Sequence, residues 1–150
     1  MSVANFNVVG LDDAMLSMKE IASIPDDVAE EMLQAGGEVL ADAQKRKYLS
    51  TLKQHTGNLA NSLKVSKMTR RRDGSRGITV YPRGKHHSYK HDDGFADARN
   101  ADVAFVQEYG SKKRGISAKG IMAAANAESG DAVQAAELAV YDKWLTSKGK

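Results

Sequence analysis

The sequence predicts an α+β fold: a long N-terminal helical segment, a small antiparallel β-sheet with a basic hairpin, and a C-terminal helix packed on the sheet. Three observations predict it. Apolar residues recur at three- and four-residue steps from Val28 to Ala43, two short alternating runs flank a turn-rich connector, and an alanine-rich stretch closes the chain. The 150 residues are enough for one structural domain, 1–150, with a sizeable core.

The elements follow in order. Phe6, Val8 and the turn former Gly10 suggest a short strand over Asn5–Val9. Leu11, Met15, Met18 and Ala22 then predict a helix from Asp12 to Ala22. Pro25 marks the start of the long helix, with Asp26, Asp27, Glu30 and Glu31 at the positive end of its dipole and Lys45, Arg46 and Lys47 at the negative end. Gly36–Gly37 falls in its middle, at a cost of about 1 kcal/mol per Gly relative to Ala. Close approach of another backbone, a bend, and a tolerated flaw are all open readings of that pair.

Thr56 or Asn58 caps a short helical turn through Leu63. Leu63 and Val65, with Met68 out of strict phase, face Ile78, Val80 and Pro82 across a connector containing Asp73, Gly74 and Gly77, which reads as a hairpin. Residues 83–102 lack periodicity and read as an exposed, insertion-like loop. Val103–Tyr109 fits a short helix stopped by Gly110, and Ser111–Gly115 a basic loop. Gly130 is expected to separate a short segment from a final helix, Asp131–Leu145, before a frayed tail, 146–150.

Composition excludes several function classes. With no cysteine there is no disulfide, thiolate zinc site or cysteine nucleophile. No apolar run approaches the roughly 20 residues of a membrane span, and the N-terminus lacks the basic and apolar regions of a secretory signal. The expected compartment is therefore the cytoplasm, with no membrane partner. Phosphate-cradling glycine motifs are absent, no nucleophile with a matched base can be named, and adjacent acids such as Asp12–Asp13 suit helix starts. The reading is of a non-enzyme without cofactors.

Two clusters remain. His86, His87 and His91, beside Asp92 and Asp93, are weak metal candidates. His87 and His91 have ligand spacing, but the surrounding sequence is not helical in pattern, and a solvated polar loop is favoured. The basic residues Lys67, Arg70, Arg71, Arg72 and Arg76, with Lys64, put cations on the hairpin. A cationic ribbon contacts DNA phosphates, and equally it protects a sheet edge; composition leaves the two readings level. Lys112, Lys113 and Arg114 form a smaller cluster suited to DNA or to acidic groups on a partner.

Three motifs occur in order: Gly10-Leu11-Asp12 before the first helix, Thr56-Gly57-Asn58-Leu59 with Ser62 after the long helix, and Ala104-Phe105-Val106-Gln107-Glu108-Tyr109-Gly110-Ser111 before the alanine-rich end. In this order the chain resembles the tail-completion, or head–tail joining, proteins of long-tailed bacteriophages, the group that includes minor tail protein Z. The likeness covers nearly the whole chain. One departure is that Ile116–Met122 occupies, without proline, the place of a proline-rich stretch.

The resemblance implies a virion structural subunit, assembled in the host cytoplasm into a ring at the neck or tail terminus, with six-fold symmetry expected. Partners would be copies of itself and neck and tail proteins, with DNA passing through the lumen. Thr56 and Gly57 would set the turn from helix to strand, and Phe105 and Tyr109 would pack the short helix onto the core with Glu108 on its polar side. The Arg-rich hairpin or His-rich loop would order on docking. A free DNA-binding protein using the hairpin, and a metal-binding protein using the histidines, are the alternatives.

Overall fold

The computed structural model describes residues 23–53, 57–86 and 98–149. The expected strand Asn5–Val9 and helix Asp12–Ala22, with Gly10 and Leu11, lie outside the described residues, as do Thr56, His87 and His91.

The architecture is α+β. Helix α1, Asp26–Thr51, is followed by the single turn α2, Asn58–Asn61. Strands β1 (Leu63–Val65), β2 (Thr69–Arg70), β3 (Arg76–Gly77) and β4 (Val80–Pro82) form the hairpin. Strands β5 (Lys85–His86) and β6 (Ala98–Arg99) lead into α3, Asn100–Tyr109, and the chain ends in α4, Ile121–Ser147.

Helix α1 is the spine. Val28, Ala29, Gly36, Gly37, Gln44 and Tyr48 are buried along it, so the covered stripe follows helical spacing for most of its length. Its middle holds the glycine pair, and the helix runs through both without a break. A methyl carbon at Gly36 would sit 2.6 Å from Glu137 Oε1 and 2.9 Å from its Cγ; one at Gly37 would sit 2.3 Å from Ile78 Cδ1 and 2.8 Å from Val65 Cγ1. The pair is therefore more than a tolerated flaw. It makes room for side chains of α4 on one side and of the hairpin on the other.

Helix α4 lies antiparallel to α1. Tyr141 joins Val28 and Ala29 at one end, while at the other Gln44 Nε2 donates to Asn126 Oδ1 at 2.9 Å and Lys47 pairs with Glu128 at 2.5 Å. Two expectations are corrected here. The C-terminal helix lies chiefly along α1 and not on the strands. It is also a single 27-residue helix, because Gly130 does not divide it. One interior glycine costs about 1 kcal/mol, and flanking alanines together with packing on α1 outweigh that. Thr146 and Ser147, expected to fray, are still helical, and the Lys148 ammonium lies 5.1 Å from the Trp144 ring centre.

The hairpin forms as expected. Leu63, Lys64 and Val65 pair with Pro82, Tyr81 and Val80, and Arg70 pairs with Arg76 further out. Asp73 Oδ1 accepts from the Ser75 amide at 2.9 Å and its hydroxyl at 2.7 Å, and Gly74 takes φ +82°, closing the tip. Gln34 Nε2 donates to the Ser66 carbonyl at 2.7 Å, tying the hairpin to α1.

Apolar side chains gather at the two ends of α1. Tyr48, Leu59, Ala60, Ala104 and Ile121 form one cluster, edged by Leu52, Leu63, Val103 and Met122. Ile24, Val28, Ala29 and Tyr141 form the other, edged by Met32, Met68 and Trp144. Both ends of the 83–102 segment, expected to be loop, are ordered: Lys85–His86 pairs antiparallel with Ala98–Arg99, and α3 starts at Asn100.

Candidate docking surface

The Glu-Tyr-Gly-Ser box of α3 explains how this face is built. The Gly110 amide closes the last turn of α3 on the Val106 carbonyl at 2.8 Å, and Gly110 takes φ +78°. A methyl carbon there would lie 2.7 Å from both Ala118 N and Ile116 O, so conformation and space each demand glycine. The chain then folds back: Ser111 and Ile116 exchange both backbone hydrogen bonds, at 2.7 and 3.0 Å. The Lys119 and Gly120 amides donate to the Gln107 and Glu108 carbonyls at 2.9 and 3.2 Å.

Glu108 does more than occupy a polar side. Its carboxylate accepts from the Met122 amide at 2.8 Å and the Ala123 amide at 3.0 Å, capping the first turn of α4 from another element. Its negative charge, after the larger effect of burial, helps push the Tyr48 phenol up to about 12. Tyr48 is thus held neutral inside its cluster.

With Glu108 turned toward α4, the aromatic residues of the box face outward. Phe105 is 62% exposed and Tyr109 69% exposed, with ring centres 4.8 Å apart. The expectation that they pack α3 onto the core is overturned. Their four-residue spacing does place them on one face, but Ala104 is the residue that faces the core. The two rings border an open groove of about 560 Å³, whose walls include Leu40, Ile78, Val80, Pro82 and Met122. Lys112, Lys113 and Arg114, expected in a loop, form a 3-10 turn next along the chain and are all exposed.

The hairpin cations divide into two groups. Arg70 donates to Asp26 Oδ1 at 2.5 Å, and Arg76 donates to the same oxygen at 3.0 Å and to the Ile24 carbonyl at 2.8 Å. Arg70, chiefly by its hydrogen bond, and then Arg76 hold the Asp26 carboxyl below its ordinary value. These two arginines pin the hairpin to the start of α1. Arg71, Arg72 and Lys67 are exposed.

Gly57 takes φ +74° ahead of α2, and Leu59 is buried in the Tyr48 cluster. Asn100 was missed in the sequence. It is 3% exposed, donates to the Arg83 carbonyl at 2.7 Å and accepts from Asn58 at 2.8 Å, tying α2, the hairpin exit and α3 together. Its partners are 17 and 42 positions away, so only a helix-start preference for Asn hinted at it. Among the described residues no group of three or more His, Asp or Glu could hold a metal ion, and no helix is long and apolar enough to cross a membrane.

The helical frame thus turns an aromatic pair and three cations outward on one corner of the chain. The family model described as "Bacteriophage HK97-gp10, putative tail-component" matches residues 12–92, just over half of the chain, and the chain belongs to this family. It is a phage tail component with a structural role, a virion protein that interacts with other tail and neck proteins. The match takes in α1 and the hairpin and stops before α3. No curated protein and no solved structure matches the chain.

Proposed function

We propose that the chain is a non-enzymatic head–tail joining or tail-completion subunit, and that copies of it form a closed ring, with six-fold symmetry expected, between the neck and the tail. The observation that carries this reading is the exposed Phe105–Tyr109 pair on a tail-component family member. An aromatic pair beside an apolar groove is costly to leave in water and is stabilised when a partner covers it. The mechanism is geometric. Each subunit offers one face to a different face of its neighbour, and a ring results when the rotation closes. Arg71, Arg72 and Lys67 remain for contact with DNA passing through the lumen, a phosphate contact without sequence reading.

Disrupting the gene in the phage tests this. Filled heads and free tails that fail to join are the expected result, seen by electron microscopy. Normal infectious particles would sink the proposal.

A further inference from the structure

Resting on that reading, we infer that the contact between neighbouring copies pairs the Phe105–Tyr109 and Lys112–Arg114 corner of one subunit with an acidic stripe on α1 of the next.

Asp27, Glu31, Glu38 and Asp42 recur at four- and seven-residue steps, and all are exposed. This spacing places them on one face, over roughly 22 Å at 1.5 Å rise per residue. Lys45, also exposed, and Leu49, 39% exposed, continue the same face three and seven residues beyond Asp42, so the face carries four carboxylates against one ammonium. Neither these acids nor Lys112, Lys113 and Arg114 have an ion-pair partner among the described residues, whereas Asp26, next in sequence to Asp27, holds Arg70 and Arg76. The described residues thus include a basic and an acidic surface, both without internal ion pairs and each with an exposed apolar group beside it. The corner offers cations next to aromatic rings, and the stripe offers a net negative face, four carboxylates to one lysine, ending in a leucine. Such surfaces complement each other, and not themselves, so a second copy of this chain satisfies both. A contact between two different faces propagates from copy to copy, as a ring needs.

The test is complementation of a phage lacking the gene, using plasmid-borne variants. One variant carries Lys112→Glu, Lys113→Glu and Arg114→Glu; another carries Asp27→Lys, Glu31→Lys, Glu38→Lys and Asp42→Lys; a third carries both sets. Wild type restores infectious particles. Each single-face reversal lowers their yield about 100-fold or more, since like charges facing each other cost several kcal/mol. The third variant recovers most of the loss, because both sides of the contact are inverted together. Circular dichroism checks that each variant folds, and the milder pair Lys113→Glu and Glu38→Lys replaces any that does not. The inference falls if wild type complements and a folded single-face reversal does as well, or if the combined variant is no better than either single one. Normal particles without the gene would overturn the tail reading and this inference together.

Discussion

The two ends of α1 are held in different ways. At its C-terminal end, the Tyr48 cluster joins segments far apart in sequence, and polar ties brace it: Glu108 caps α4, Asn100 bridges α2 and the hairpin exit, and Gly110 lets the chain double back. At its N-terminal end, the Ile24 cluster packs α4 against α1, and the outside tie is the exposed Asp26 with its two arginines. One end depends on backbone geometry and buried partners, the other on apolar packing with ion pairs in solvent. The braced end is also the end that presents the aromatic corner. The polar and backbone ties are thus densest beside the surface proposed for contact.

Three substitutions probe that contrast. The largest effect is expected from Gly110→Ala. At φ +78° and ψ 179° Gly110 lies in a region essentially confined to glycine, costing about 1–3 kcal/mol for a residue with a side chain, and the clash with backbone at 116–118 adds to it, so a loss of about 3 kcal/mol or more is expected in urea unfolding. A loss below about 1 kcal/mol would show that this end is not braced through the box. Next is Glu108→Ala, which strips the cap of α4 and leaves two amide donors without it. It should cost about 1–2 kcal/mol. Its effect should persist in high salt more than a surface pair's does, because the bonds go to backbone.

The smallest is Asp26→Asn at the other end. Its folded pKa is depressed, so the stability it supplies is present above the ordinary carboxylate value of 3.8 and is lost as pH falls through the lowered folded value. Thermal unfolding should therefore place the variant slightly below wild type at neutral pH, and the two curves should converge in acid. A drop as large as that of Glu108→Ala would reverse the contrast between the ends.

The frame was legible in the sequence and its polar ties were not. Charge order and apolar spacing located α1, and alternation with Asp73–Gly74 located the hairpin, because both signals are local. The reading failed where one residue meets conflicting demands. Gly130 looked like a break, yet no atom lies within 4 Å of a methyl carbon placed there, and the flanking alanines carry the helix through. Phe105 and Tyr109 were expected inside since aromatics at helical spacing usually are, but spacing identifies a shared face without saying which way it points. Glu108, Asn100 and Asp26 act on groups 14 or more positions away, and no local pattern encodes such partners.

Gly36 and Gly37 also act as an alignment key. They occupy one turn of α1 and admit two different partners, Glu137 from α4 and Ile78 with Val65 from the hairpin. If α4 slid by a single turn, about 5.4 Å, Glu137 would meet Met32 or Leu40 and find no notch. If the hairpin shifted, the same would hold for Ile78. Neighbouring notches thus set the axial position of one neighbour and the seat of the other at once. Every copy is thereby built to the same length and offset, which the proposed ring would require of its repeated parts.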